Sequence, residues 1–192
     1  MKQWKWILSS LVLVSLITLA ACGSDNEESA DEESEQESGE EEMDHSDMDH
    51  SGSGEVPEGL EEAEAPTFEE GDKAVITASH MEGMDGAEAT IAGAYSTIAY
   101  VISYEPTDGG ERVEDHKWIV HEEVEDAGDE PFESGDEVTI NASHMEGMER
   151  AAGEIESAEE TTVYMVDFTP ADGGEEVKNH KWVTESELEE ME

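Results

Sequence analysis

From residue 68 to residue 124 the chain alternates apolar and polar positions in short runs broken by Gly, Asp and Pro. That is the pattern of half-buried strands, with period two, rather than of helices. Residues 74–78 form a brief β-branched run. An Asp85-Gly86 turn leads to a stretch with Ala87, Ala89, Ile91 and Gly93 on one parity. Residues 97–104 then put Ile98, Tyr100, Ile102 and Tyr104 on one face. The turn at Asp108-Gly109-Gly110 closes a hairpin whose last strand, residues 113–120, carries Trp118.

The whole pattern then returns. Phe68-Glu69-Glu70-Gly71-Asp72 recurs, 64 positions on, as Phe132-Glu133-Ser134-Gly135-Asp136. Pro106-Thr107-Asp108-Gly109-Gly110 recurs as Pro170-Ala171-Asp172-Gly173-Gly174, and His116-Lys117-Trp118 as His180-Lys181-Trp182. No gap is needed from Phe68 to Glu187, and roughly half the paired positions are identical, which marks a tandem pair and not a solenoid. Five short strands per unit predict an all-β fold: two tandem small barrels that look SH3-like, of the KOW or Tudor kind. The expected modules are residues 66–126 and 130–190. A domain that small is marginally stable unless the copies pack together.

The N-terminus changes the picture of where this happens. Lys2 and Lys5 precede an apolar run over residues 7–19 that ends in Leu19-Ala20-Ala21-Cys22. A basic start, a short apolar core and small residues before the cut describe a secretory signal over residues 1–21. The cysteine completes a lipobox, similar to that of bacterial lipoproteins, in which this residue is acylated and becomes the first. The expected location is the extracytoplasmic face of the cell membrane, held by lipid on Cys22. It is the chain's one cysteine, which excludes disulfides, thiolate metal sites and cysteine nucleophiles from the mature protein. The exported domain must be held by its cores.

Charge removes further function classes. The chain has 54 acidic against 8 basic residues, a formal charge of −46. Nucleic-acid binding, which rests on cationic neutralisation of phosphates, is excluded. Anionic headgroups are disfavoured too, leaving the lipid to do the anchoring. A salt-loving source explains such acidity without any functional meaning. Residues 24–65 contain 19 acids and no Lys or Arg, a composition that predicts disorder. Residues 22–65 therefore read as an acidic tether, extended by self-repulsion.

Against this background the Met and His positions need an explanation. Residues 79–84 read SHMEGM, and residues 143–148 repeat them unchanged. Cu(I) is a soft ion that takes thioether sulfur and imidazole nitrogen, whereas hard cations reject sulfur. His80, Met81 and Met84 supply three such groups on a loop that Gly83 lets bend back, and His144, Met145 and Met148 do the same. His116 or His180 could add a fourth ligand or act from behind the first. Trp118 or Trp182 could cover the metal, with His121 nearby. Packing is the competing explanation, since Met fills gaps in small cores and a Trp at a strand centre is usually core. Packing cannot explain the tether, where Met43, His45, Met48 and His50 form a near-duplicated MDHS motif. Such a tract could also take Cu(II) or Zn(II).

The stretch GDKAVITASHMEGMDGAEATIAGAYSTIAYVISYEPTDGGERVEDHKWIVHEEV resembles the repeat of the YdhK family, which includes lipoproteins of the CopL type found with copper-export genes. The resemblance covers residues 68–124 and 132–188. It implies an extracellular copper-binding lipoprotein without catalytic activity. On the copper-sequestering reading, the metal would be held at the membrane or handed to a copper exporter or oxidase. Two departures are visible. Glu114-Asp115-His116 stands where Lys178-Asn179-His180 is closer to the usual form, and Glu185 stands where the first unit has His121. The two units are expected to differ in affinity.

Three alternatives compete with copper sequestration. A cell-envelope interaction module would need no metal, its acidity reflecting salt adaptation, and its methionines would be indifferent to ions. A diffuse Ca(II) or Mg(II) store would not depend on Met or His, and no EF-hand pattern occurs. An enzyme would need a nucleophile elbow, a P-loop or an H-E-x-x-H motif, and the sequence has none.

Overall fold

Two of the strands run far longer than the alternation alone suggests, 18 residues in one and 17 in the other, through polar as well as apolar positions. The computed structural model describes residues 51–191, within one compact unit spanning Met43–Glu192. Eight strands are formed among the described residues: β1 (Glu61–Glu62), β2 (Lys73–Ile76), β3 (Glu88–Glu105), β4 (Val113–Val120), β5 (Glu137–Thr139), β6 (Ala152–Phe168), β7 (Val177–Thr184) and β8 (Leu188–Glu190). The tether motif Met43, His45, Met48 and His50 and the lipobox Cys22 lie outside the described residues.

β3 and β6 pair antiparallel along their whole lengths. Their register puts Thr97 opposite Thr161, each the other's counterpart in the repeat. The two repeats are thus related by a pseudo-two-fold through that pair, with Ala94 opposite Tyr164 and Tyr100 opposite Ala158 on either side. One-residue register shifts at Ala92 and Glu156, again repeat-equivalent, bend the long strands symmetrically. β2, β1 and β4 line the outer edge of β3, and β5 and β7 that of β6, while β8 returns to pair with β2.

The expectation of two separate SH3-like barrels is corrected here. All eight strands belong to one sheet that does not close. The physical reason lies in which faces the long strands bury. The first half of β3 sends Ala89 and Ile91 into one core, where they meet Tyr164, Val166, Phe168 and Val183 from the second repeat. Its second half sends Tyr100, Ile102 and Tyr104 into another core, shared with Val138, Ile140, Met148 and Ile155. Each core is therefore built half from each repeat. A third cluster, with Trp118, Trp182, Val101 and Met165, joins them.

Part of the expected tether is also ordered. Leu60 packs on the central cluster, and Ala63 N–H donates to the Ala94 carbonyl at 3.0 Å. Upstream, Gly52 N–H donates to the Lys178 carbonyl at 2.7 Å and Lys178 N–H to Ser51 Oγ at 3.0 Å. A Cβ on Gly52 would collide with the Asn179 carbonyl, and one on Gly54 would press on the Asn179 side chain. Glycine is used there for close approach rather than for flexibility.

Candidate metal centre

The interlocked repeats bring their two SHMEGM loops to one place. The loop after β2 is held by Thr77 N–H donating to the Glu187 carbonyl at 2.9 Å, and the loop after β5 by Asn141 N–H donating to the Glu123 carbonyl at 2.7 Å. Each loop turns at a glycine in the left-handed region, Gly83 (φ 73°) and Gly147 (φ 76°). There it rests on the Pro-x-Asp turn of the other repeat: Ala171 N–H donates to the Gly83 carbonyl at 2.8 Å and Thr107 N–H to the Gly147 carbonyl at 2.9 Å. Any side chain at either glycine would run into that turn.

Met84 and Met148 anchor the loops. Both are fully buried, one in each core, and neither lines the cleft between the loops. Met81 and Met145 do line it, with Met81 half-buried against its core and Met145 40% exposed. The structure thus separates the four motif methionines into an inner pair that packs and an outer pair that lines the cleft, where Met145 Sδ accepts from the Tyr104 hydroxyl at 3.9 Å.

That space is a cleft of about 1100 Å³ lined by His80, His116, His144 and His180, by Met81 and Met145, and by the carboxylates of Glu123 and Glu187. The β-bulges of β4 and β7 turn His116 and His180 into it, each following a residue of positive φ, Asp115 (51°) and Asn179 (50°). Asp and Asn tolerate this conformation better than most residues. Asn179 N–H is held there by Asp167 Oδ1 at 2.7 Å. The His116 ring lies 6.4 Å from the His144 ring, centroid to centroid, and the His180 ring stands edge-on to Phe168.

Two glutamates that the sequence reading passed over organise the histidines. His80 Nε2 lies 2.8 Å from Glu187 Oε1, and His144 Nε2 lies 2.7 Å from Glu123 Oε1. Each glutamate belongs to the repeat opposite its histidine's loop. Each also accepts an indole N–H, Trp118 to Glu187 at 2.8 Å and Trp182 to Glu123 at 3.0 Å, and caps the 3-10 turn it sits on through Thr184 N–H and Val120 N–H. Burial would raise the Glu187 carboxyl, but the hydrogen bonds from His80, the Thr184 amide and Trp118, with the charge of His80, hold it down at about 2. Burial acts likewise on Glu123, and the charge and hydrogen bond of His144 with those of Val120 and Trp182 pull it below its ordinary value.

An ionised carboxylate can only accept, so Nε2 of His80 and of His144 must carry the proton. In the neutral ring Nδ1 is then a bare lone pair. Nδ1 of both rings is buried without a hydrogen-bond partner, as is Nε2 of His116. Burial, then the neighbouring His144 and His80, push the His116 imidazole down to about 4 against the opposing pull of Glu123. Buried ring nitrogens without a partner are uncommon and call for a reason, whether they are the lone pair of a neutral ring or the N–H of a charged one. A carboxylate behind an imidazole whose second nitrogen is bare is the arrangement that orients metal-ligating histidines.

The remaining expected residues have other duties. Trp118 and Trp182 are buried behind the histidines, with Lys117 and Lys181 over their rings at 5.1 and 5.7 Å, rather than forming a cover over the cleft. His121 does not line the cleft. Its Nδ1 meets the Tyr100 hydroxyl at 2.8 Å and its Nε2 the Gly128 carbonyl at 2.7 Å. Glu185, its counterpart, accepts from the Tyr164 hydroxyl at 3.0 Å. The His121/Glu185 difference is therefore a choice of partner for a core tyrosine. Among the described residues no three His, Cys, Asp or Glu side chains come together closely enough to hold a metal ion.

The fold and cleft define a class: an all-β protein of two interlocked repeats whose paired HMEGM loops face each other across a histidine-lined cleft. Its sequence relatives say which one. The chain belongs to the YdhK family of DUF1541 proteins. The family model described as a protein of unknown function (DUF1541) matches residues 70–121 and 134–185. The uncharacterized protein YdhK of Bacillus subtilis (strain 168) is 53% identical over 188 residues, 98% of this chain and 90% of the relative. The 2.00 Å crystal structure of the DUF1541 family protein ydhK from Bacillus subtilis subsp. subtilis str. 168 is 58% identical and superposes with a TM-score of 0.73, covering 77% of this chain and all of that one. A solution NMR structure of the ydhK C-terminal domain from B. subtilis is also 58% identical, with a TM-score of 0.61 over 64% of this chain and 93% of that one.

Proposed function

We propose that this protein is a lipid-anchored copper-binding protein of the extracytoplasmic face, which holds Cu(I) in the inter-repeat cleft to sequester it or pass it to an exporter or oxidase. One observation carries the reading. Three imidazole nitrogens are buried without hydrogen-bond partners, on histidines that line a cleft also lined by two methionines. A soft ion of low coordination number is satisfied by imidazole and thioether, whereas Ca(II) and Mg(II) would require oxygen ligands. Thioethers need no deprotonation and survive outside the cytosol, where thiolates oxidise. The cleft belongs to both repeats, so the centre is shared by them. Anchoring rests on the lipobox at Cys22. The function is binding.

The test is a competition titration of the mature chain, without its lipid, against a chromophoric Cu(I) chelator. Leucine conserves most of the volume of methionine and removes its sulfur. Replacing Met81 and Met145 together by leucine is expected to weaken Cu(I) binding at least ten-fold or so, about 1.4 kcal/mol. Replacing the core pair Met84 and Met148 should leave it unchanged. If the cleft pair can be replaced without effect, or the wild type does not compete at all, the copper reading is wrong. An envelope-interaction role would then replace it.

A further inference from the structure

We infer that the cleft has two unequal mouths: residues 51–55 strap shut the one beside His180, so that cations reach the imidazoles past Glu114, Asp115 and His116. The pseudo-two-fold makes two equivalent rims, residues 113–117 of β4 and 177–181 of β7; the first lines the cleft throughout and the second through Asn179, His180 and Lys181. Among the described residues, only the second is covered. The strap bonds to it on both sides of His180: Gly52 N–H to the Lys178 carbonyl at 2.7 Å, Lys178 N–H to Ser51 Oγ at 3.0 Å, Asn179 Nδ2 to the Gly52 carbonyl at 3.3 Å, and Lys181 Nζ to the Glu55 carbonyl. As a result Asn179 and Lys181 are half-buried while their counterparts Asp115 and Lys117 are exposed.

The residue differences between the rims explain the choice. Lys117 and Lys181 are common to both rims, so the difference lies at the two positions before each histidine. At the second rim the Gly-rich strap finds Asn179, whose side-chain amide donates to it, and Lys178, whose ammonium is paired with Asp167 and Glu176. At the first rim it would meet Glu114 and Asp115, which repel its one carboxylate, Glu55, and offer no side-chain donor. The same substitution that turns the strap away leaves the open mouth negatively charged. Charge of one sign around an opening raises the local concentration and on-rate of the opposite sign. The departure of Glu114-Asp115 from Lys178-Asn179 is thus a difference in access rather than in ligand set. The inference needs the cleft and its rims, not the identity of the ion.

The experiment uses the full mature chain without lipid and the substitution Gly52→Val, whose side chain cannot fit against the Asn179 carbonyl and which touches neither core. Histidines are labelled with diethylpyrocarbonate near neutral pH and followed by peptide mass spectrometry. His180 is expected to react about ten-fold faster in Gly52→Val than in the wild type, as for release of a locally closed segment, with His116 changing less than two-fold. Equal acceleration of both, or of neither, overturns the strap. A second arm reads the open mouth: Glu114→Lys with Asp115→Asn should slow capture of Cu(I) in stopped flow by about ten-fold at low salt, with dissociation unchanged. An unchanged capture rate overturns the route. Failure of the wild type to bind Cu(I) would remove the proposed function, and the labelling would still decide the strap.

Discussion

Glu123 is the residue whose replacement separates local from global electrostatics most cleanly. In a chain of formal charge −46, deleting one carboxylate reduces self-repulsion, and a view based on net charge predicts that Glu123→Ala stabilises the fold. The local view predicts the reverse. Glu123 is 3% exposed and accepts from His144 Nε2 at 2.7 Å, Trp182 Nε1 at 3.0 Å and Val120 N–H at 3.1 Å. Alanine leaves all three donors buried beside a cavity. Each stranded donor costs about 1–3 kcal/mol, and some water will enter from the cleft side, so the loss is about 4 kcal/mol. Glu187 holds the equivalent donors, but its side chain is 13% exposed against 4% for Glu123, and Trp118 is less buried than Trp182. Water can replace more of what Glu187→Ala removes, and its cost should be about 2 kcal/mol. Glu123→Gln keeps one acceptor oxygen and should fall between wild type and alanine. The assay is urea unfolding at neutral pH and fixed salt. With a slope of about 2 kcal/mol/M the alanine midpoint should drop by about 2 M. A Glu123→Ala protein as stable as wild type, or a larger loss for Glu187→Ala, would refute this ledger of donors.

Two further outcomes follow from the same geometry. The ordinary imidazole value of 6.5 is lowered to about 4 for His116 in the fold, so the unfolded chain binds the extra proton first. Stability is full above 6.5 and falls as the pH drops from 6.5 towards 4, by about 3 kcal/mol in all. The carboxyl of Glu187, lowered from 4.5 to about 2, extends the loss below pH 4.5. His116→Gln should abolish the upper part of the pH dependence in thermal melts and leave the lower part. Finally, residues 66–126 produced alone should not give a folded monomer, because each core takes half its side chains from the other repeat. A folded species should instead sediment as a dimer, with β3 pairing to its own copy about Thr97. A folded monomer would contradict the interlocked core.

The sequence by itself determined the local character of the protein. Period-two alternation reveals β-structure because side chains on a strand point alternately to opposite faces, and the turns at Asp85-Gly86 and Asp108-Gly109 follow from residues that accept their dihedrals. The 64-residue repeat, the two HMEGM motifs and the recurrence of His116 as His180 were equally legible, since type and spacing alone identify them, whereas the meeting of the two loops and the turning of both histidines into one cleft were not. Strand partners were not. A repeat whose β3 folds back on itself as a small barrel and one whose β3 pairs with β6 have the same alternation, and only the burial of both halves of an 18-residue strand in different cores decides between them. The acids at 123 and 187 are two among 54. Nothing in composition marks them, although both stand at the same repeat position just after a Trp-bearing strand. What singles them out is burial, which turns a carboxylate from a solvated charge into an acceptor that three donors require. The methionines divide for the same reason: spacing shows that Met81 and Met84 share a loop, while tertiary packing alone sends one to the cleft and the other to the core.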